Sequence, residues 1–269
     1  MAAVAELGTA LVTGASSGIG ATYAKHLAER GYDLVLVARD AKRLEQLGAD
    51  LSAKFGIKAE AFPADLSDRN EVKRVEARLR SDEAITLLVN NAGIGSKGPA
   101  LADDIDYLDQ MIALNVAAAN RLAVAAAQTF AARGSGSIIN IASAVAFMPE
   151  RFNSTYGGSK AFVLAQTLSL AAELQGKGVR IQAVLPGYTR TEIFDRVGRS
   201  IDILPQEMVM DVEDLVGAAL SGFDQGELVT IPSMEDAALF QAFDAARVAL
   251  SSQGSRSKPA SRYGVAAAA

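Results

Sequence analysis

The stretch STYGGSK, residues 154–160, places Tyr156 four residues ahead of Lys160. On a helix that spacing stacks a phenol and an ammonium on one face, about one turn apart. A free phenol ionises near pH 10, poorly matched to reversible acid–base work at neutral pH. A neighbouring cation favours the phenolate and lowers that value. The pair has the chemistry of a tuned proton donor, although two polar residues on a solvated helix face would read the same way. A second stretch, TGASSGIG at 13–20, carries Gly14, Gly18 and Gly20 as G-x-x-x-G-x-G, with Ser16, Ser17 and Ile19 between them. Set between a strand and a helix, such a turn lets the backbone approach a pyrophosphate and aims a helix N-terminus at it.

The end of the next apolar run, VLVARD, decides which dinucleotide fits. An acidic residue there would take the ribose 2′-hydroxyl of NAD. This chain has Ala38 and then Arg39, 25 residues after Gly14. An arginine forks onto a 2′-phosphate. Ser16 offers a hydroxyl and Arg43, one turn on, a second charge, while Asp40 is expected to cap the following helix. The pattern favours NADP over NAD, although an arginine at a strand end is also ordinary surface chemistry.

Short apolar runs must hold these residues in place. They fall at 9–14, 33–38, 58–63, 86–91, 137–143, 180–187 and 227–232. Longer amphipathic stretches separate them and read as helices over 18–30, 40–55, 68–79, 107–133, 155–175, 211–221 and 235–250. Continuously apolar strands alternating with helices imply an α/β fold: a doubly wound, Rossmann-type parallel sheet of seven strands with helices on both faces. Residues 1–250 read as one dinucleotide-binding and catalytic domain, and 251–269 as a polar, flexible tail.

Taken in order, TGASSGIG (13–20), ADL (64–66), NNAG (90–93), LNV (114–116), IINIAS (138–143), YGGSK (156–160) and PGYTRT (186–191) resemble the short-chain dehydrogenase/reductase family, in its single-domain branch. The resemblance spans about residues 8–235. It implies that Asp65 and Leu66 flank the adenine, that Asn91, Ala92 and Gly93 line the riboses, and that Asn90 supports the strand end. It implies that Asn115 joins a proton relay, Ser143 orients the substrate, Tyr156 is the acid and Lys160 binds the cofactor. Pro186 and Gly187 then open a segment over the nicotinamide, where Thr189 and Thr191 hold the carboxamide. The glycines of YGGSK and the alanine-rich end depart mildly from the family pattern. The implied reaction is hydride transfer between NADP(H) and a carbonyl or secondary alcohol. Its pocket is formed by 94–97, 145–153 and the long segment 188–210, whose apolar members favour a largely apolar substrate. Arg190, Arg196 and Arg199 leave an acidic or phosphorylated one open. Helices 107–133 and 159–174 are apolar nearly all round, which deep burial within one subunit would also explain; such helices commonly build a dimer interface in the family, so the resemblance implies a homodimer or homotetramer.

Composition narrows the alternatives. The chain has 269 residues, half of them hydrophobic, ample for a large core. A net charge of −5 gives no basic footprint for nucleic acid. With no cysteine and one histidine, thiolate chemistry, disulfides and a serine–histidine triad fall away, and no metal site is expected. His26 reads as a helix-surface residue, and the acidic run Asp103, Asp104, Asp106 and Asp109 as dipole compensation at a helix start. The start MAAVAELG lacks the regions of a secretory signal, and no run of eighteen apolar residues suggests a membrane span, so a soluble cytoplasmic protein is expected. A non-enzymatic NADP(H)-binding regulator on the same fold is the competing reading, against which the Ser–Tyr–Lys set argues. An epimerase or dehydratase would need a larger C-terminal substrate domain.

Overall fold

The computed structural model describes residues 7–198 and 200–265. Two compact units divide the chain, one running to Pro232 and the other from Ser233. The larger unit is built on a seven-stranded sheet. Its strands are β1 (Thr9–Thr13), β2 (Asp33–Ala38), β3 (Ala59–Pro63), β4 (Ile85–Asn90), β5 (Gly136–Ile141), β6 (Val179–Val184) and the short β9 (Val229–Thr230). The spatial order is β3-β2-β1-β4-β5-β6-β9, and every pairing is parallel. The order reverses between β1 and β4, the switch point where doubly wound sheets place their ligands.

Both faces are covered, which explains why the strands read as unbroken apolar runs. On one face lie α1 (Gly18–Glu29), α2 (Ala41–Phe55) and α8 (Val212–Asp224). They bury Tyr23, Leu27, Leu44, Leu51, Leu215 and Leu220 against Val12, Leu34 and Leu36 of the sheet. On the other lie α3 (Arg69–Ser81), α5 (Ala119–Arg133) and α6 (Ser154–Glu173). Val72, Val75 and Leu79 of α3 recur at helical spacing and pack with Leu122, Ala126 and Phe130 of α5. Asp40, Asp68, Asn153 and Asp211 each cap the helix they precede by accepting a first-turn amide, so Asp40 takes the capping role expected of it.

One expected helix is interrupted. The stretch read as 107–133 is α4 (Ile105–Ile112), a π-helical segment Ala113–Ala118, and then α5. Asp104 caps α4 by accepting from the Asp106 amide, in keeping with the reading of the acidic run. By length and mean hydropathy Ile105–Arg133 would suit a membrane, but half of its most apolar window is buried inside the fold.

A second, two-stranded sheet pairs β7 (Tyr188–Thr189) with β8 (Val209–Met210), and α7 (Ile193–Arg196) lies between them in the chain. It gives the long 188–210 segment a frame. Met210 packs against the core, while Met208 is exposed. The smaller unit holds α9 (Ala237–Ser251), whose Phe240 and Phe243 rings lie 6.2 Å apart, and a 3-10 turn at Ser261–Tyr263.

Candidate active site

At the carboxyl edge of the sheet the quoted motifs converge. Thr13 ends β1, and its hydroxyl accepts from the backbone amides of Asn91 and Ala92 at 2.9 and 3.0 Å. The Asn91 side chain returns a donor to the Thr13 carbonyl, 2.9 Å. This clamps the β4 exit to the glycine-rich turn. Gly14 has φ +66°, and a Cβ there would lie 2.7 Å from Asn91 Nδ2. A Cβ on Gly20 would lie 2.3 Å from the Gly14 carbonyl oxygen. Neither position can carry a side chain without opening the turn. Thr13 was within the quoted motif but had no role assigned to it; a threonine ending a central strand gives no letter-level signal.

The start of α1 differs from those of α2, α3, α6 and α8. Ser17 stands at its N-cap position but makes no capping bond. The first helical bond runs from the Ala21 amide to the Ser17 carbonyl, so no side chain answers the amides of Gly18, Ile19 and Gly20 among the described residues. Unanswered amides at a positive helix end suit a pyrophosphate. Ile19 packs its side chain against the core, and Ser16 is half-buried. At the end of β2, Arg39 is exposed and has no direct partner among the described residues. It lies close enough to Asp65 to help hold that carboxyl low. Burial opposes this, but the Ser67 hydroxyl and amide together with Arg39 outweigh it. Leu66 is a core residue, 5% exposed. Arg43 is engaged: it pairs with Glu192 of the 188–198 segment at 2.8 Å.

Around β5 and α6 the polar groups are buried and nearly all partnered. Ser143 donates to the Pro186 carbonyl, 3.2 Å, and lies near enough to the Tyr156 hydroxyl to favour its ionised form. Lys160, 7% exposed, donates to the Ile141 carbonyl at 3.0 Å. Asn115 sits in the π segment, 2% exposed, and exchanges two hydrogen bonds with the Ile94 backbone, both 2.9 Å. The extra backbone residue of a π turn re-aims the side chain that follows. Gly93 closes the group: a Cβ there would be 3.1 Å from Asn115 Oδ1 and 3.6 Å from Lys160 Nζ. Beneath, Asn90 donates to Asn140, its neighbour in register, and Asn140 to Thr167, at 3.2 and 3.0 Å.

The electrostatics of the pair are dominated by burial. Lys160 Nζ is 6.0 Å from the Tyr156 ring centre and is turned to the β5 carbonyl. Burial pushes the phenol up, with Ser143 the opposing influence. Burial also pushes the Lys160 ammonium down to about 8. Burial is the largest influence on both groups, and the ammonium is hydrogen-bonded to a main-chain oxygen.

Over this floor lies the 188–198 segment. Ile193 and Val197 come within 3.5 and 3.7 Å of where a Gly95 Cβ would be, and Thr191 within 3.2 Å of one at Gly18. Thr189 is buried and donates to the Gly187 carbonyl at 3.2 Å. Of the arginines that left an acidic substrate open, Arg190 pairs with Asp202 and Arg196 with Glu192. Arg199 lies outside the described residues. Asn153 caps α6 and holds the Gly98 carbonyl at 2.9 Å. His26 is partnered: its Nε2 lies 2.9 Å from Glu213, which also binds Lys25 at 2.7 Å, so it joins α1 to α8 away from the site. An open groove of about 660 Å³ lies beside that junction, between α1, α2 and the 190–202 segment, and contains none of Ser143, Tyr156 and Lys160.

A family model described as short chain dehydrogenase matches residues 8–201. The chain belongs to the short-chain dehydrogenase family. Among solved structures, a short-chain dehydrogenase from Sphingobium yanoikuyae in complex with NADPH is 48% identical, with a TM-score of 0.92 over 96% of this chain and 100% of that one. A bulky-bulky ketone specific alcohol dehydrogenase from Comamonas testosteroni is 44% identical, with a TM-score of 0.88 over 96% of this chain and 99% of that one. Among curated relatives, the very-long-chain 3-oxoacyl-CoA reductase of Anas platyrhynchos is 34% identical over 68% of this chain and 60% of its own length. The chain thus spans about three-fifths of that short-chain dehydrogenase relative.

Proposed function

We propose that the protein is an NADP(H)-dependent oxidoreductase that interconverts a ketone and a secondary alcohol on a neutral, largely apolar substrate. The observation that carries this reading is the Tyr156–Ser143 hydroxyl pair set over buried Lys160. The bound dinucleotide would supply the hydride. The uncapped first turn of α1, the glycine turn that leaves no side chain at Gly14, and Arg39, exposed and without a direct partner among the described residues, fit its pyrophosphate and 2′-phosphate, and Asp65 fits the adenine end. The NADPH complex of a 48% identical relative supports the choice of cofactor.

In this reading Ser143 holds the substrate oxygen beside Tyr156, and Tyr156 gives that oxygen its proton in reduction and takes it back in oxidation. A phenol raised by burial stays protonated at neutral pH, as a donor must. Lys160 orients the site from below and anchors a ribose, and Asn115 keeps the β4 exit against Lys160 through Ile94. Ile193, Val197, Val145 and Pro149 supply apolar walls beside Gly95 and Gly157. The pairing of Arg190 and Arg196 with carboxylates favours a neutral substrate over an acidic one. The ketone named for the Comamonas relative makes bulky ketones the first compounds to try.

The test is a panel of bulky aryl and alkyl ketones, simple ketones and 3-oxo thioesters, each followed by loss of NADPH or NADH absorbance. Turnover of bulky ketones with NADPH is expected. Preference for NADH, or activity restricted to acidic substrates, would overturn the corresponding part of the reading.

A further inference from the structure

Beside the glycine-rich turn, two segments far apart in sequence are tied together. Both Glu192 carboxylate oxygens accept from Arg43 Nη1, at 3.0 and 2.8 Å. Glu192 Oε2 also accepts from Arg196 Nη2 at 3.0 Å, and that nitrogen donates to the Ser17 hydroxyl at 2.7 Å. Polar contacts therefore run from the N-cap of α1, through residues 192–196, to the first turn of α2. The Arg43 hydrogen bond, followed by that of Arg196, holds the Glu192 carboxyl below its ordinary range, so it is ionised at neutral pH. At this end of β2, Arg39 has no direct partner among the described residues, while Arg43 pairs with Glu192 at 2.8 Å and more loosely with Asp40 at 3.6 Å.

We propose that Glu192 competes with the 2′-phosphate of the dinucleotide for Arg43, and thereby sets how strongly the protein prefers a 2′-phosphorylated cofactor. The inference rests on the NADP(H) reading. A carboxylate and a phosphate make the same demand on a guanidinium, two acceptor oxygens facing its donors. Arg43 and Glu192 are 50% and 45% exposed, so their pair is of the weak, solvated kind that a dianion displaces. Displacement leaves Glu192 with Arg196, and Arg196 with Ser17. The 192–196 segment then stays on the α1 side of the cleft while its tie to α2 is released.

The test uses adenosine 2′,5′-bisphosphate and adenosine 5′-phosphate as probes, titrated calorimetrically into the full-length protein. Wild type is expected to bind the bisphosphate more tightly than the monophosphate. Glu192→Gln should tighten the bisphosphate by about two- to fivefold, the range of an exposed ion pair, with the monophosphate unchanged. Glu192→Ala, measured alongside, removes the same carboxylate without leaving an amide and should do the same. Arg43→Met should weaken the bisphosphate and make a second change at Glu192 silent. Arg196→Met, which cuts the Ser17 arm and leaves Arg43 paired, should not alter the ratio between the probes. If wild type does not distinguish the probes, the NADP(H) reading falls and this inference with it. If wild type prefers the bisphosphate but neither Glu192 variant tightens it, the competition alone is wrong. Tightening that persists in the Arg43→Met background would also overturn it, since a general charge effect would then account for the result.

Discussion

Tyr156 and Lys160 carry the heaviest demands at the scale of single residues. Tyr156→Phe removes one oxygen and keeps the ring, so fold and dinucleotide binding should survive. Ketone turnover should fall by at least the ~10²–10⁴-fold typical of general acid–base catalysis, and near wild-type rates would sink the assignment. Lys160 makes a separate prediction for the ligand-free protein. Its pKa in the fold is about 8, below its unfolded value, so between those two values the unfolded chain binds more protons than the native one. Stability must therefore rise with pH through that window. Above pH 10 the raised phenol of Tyr156 acts in the opposite sense, because the unfolded tyrosine ionises first. Urea midpoints from pH 7.5 to 10 should climb in wild type and flatten in Lys160→Met. A flat wild-type profile would mean that the ammonium is better solvated than its position indicates. Arg39→Asp, which places a charge of the wrong sign before a 2′-phosphate, should raise the KM for NADPH by about ten- to a hundredfold and improve NADH. The motif letters announced these residues. They did not announce that Lys160 turns to the Ile141 carbonyl, because a main-chain acceptor nineteen residues away is set by the packing of α6 on β5.

Among the elements, the strands were legible because burial on both faces leaves no alternation to misread, and six of the seven fall within about two residues of their expected bounds at either end, with β6 ending at Val184. The last, β9, pairs over only Val229 and Thr230, at the sheet's edge. The π segment was not legible, since Ala113–Ala118 suits an α-helix equally well. What selects the π turn is tertiary: the paired bonds between Asn115 and Ile94. It follows that Asn115→Leu, close in size but unable to make those bonds, should lower kcat more than it lowers the melting temperature. Loss of stability with unchanged turnover in the surviving fraction would assign Asn115 to structure alone. The β7–β8 ladder was equally hidden, as two residues per strand give no periodicity. So was the Arg43–Glu192 pair, whose partners are 149 positions apart.

At the scale of the molecule, the surface near α4 and α6 makes a prediction about assembly. Leu108, Ile112 and Val116 from the α4 side face Phe162 of α6 across an open groove of about 420 Å³. Ile112 and Phe162 are exposed in the single chain, as are Leu101 and Ile105. Apolar side chains gathered in this way usually mark a partner surface, and we propose that a second copy covers it. Light scattering should report at least a dimer at micromolar concentration, and Phe162→Glu should shift it toward monomer. A monomeric wild type would remove this argument while leaving the site chemistry untouched.

The order of the strands also carries a consequence for how the chain is made. Of the seven strands of this sheet, β1 is synthesised first and is a central one, paired with β2 on one side and β4 on the other. A chain growing from its N-terminus can close the β2 side once Ala38 has emerged, but the opposite edge stays bare until Ile85–Asn90 arrives. An uncovered apolar edge is a template for wrong partners, and parallel pairing closes slowly because a long crossover must come first. The glycine-rich turn is thus made before most of the sheet, yet it is held in shape only when Asn91 reaches the Thr13 carbonyl. Between β2 and β4, the growing sheet therefore passes through an interval in which this edge is open to wrong partners.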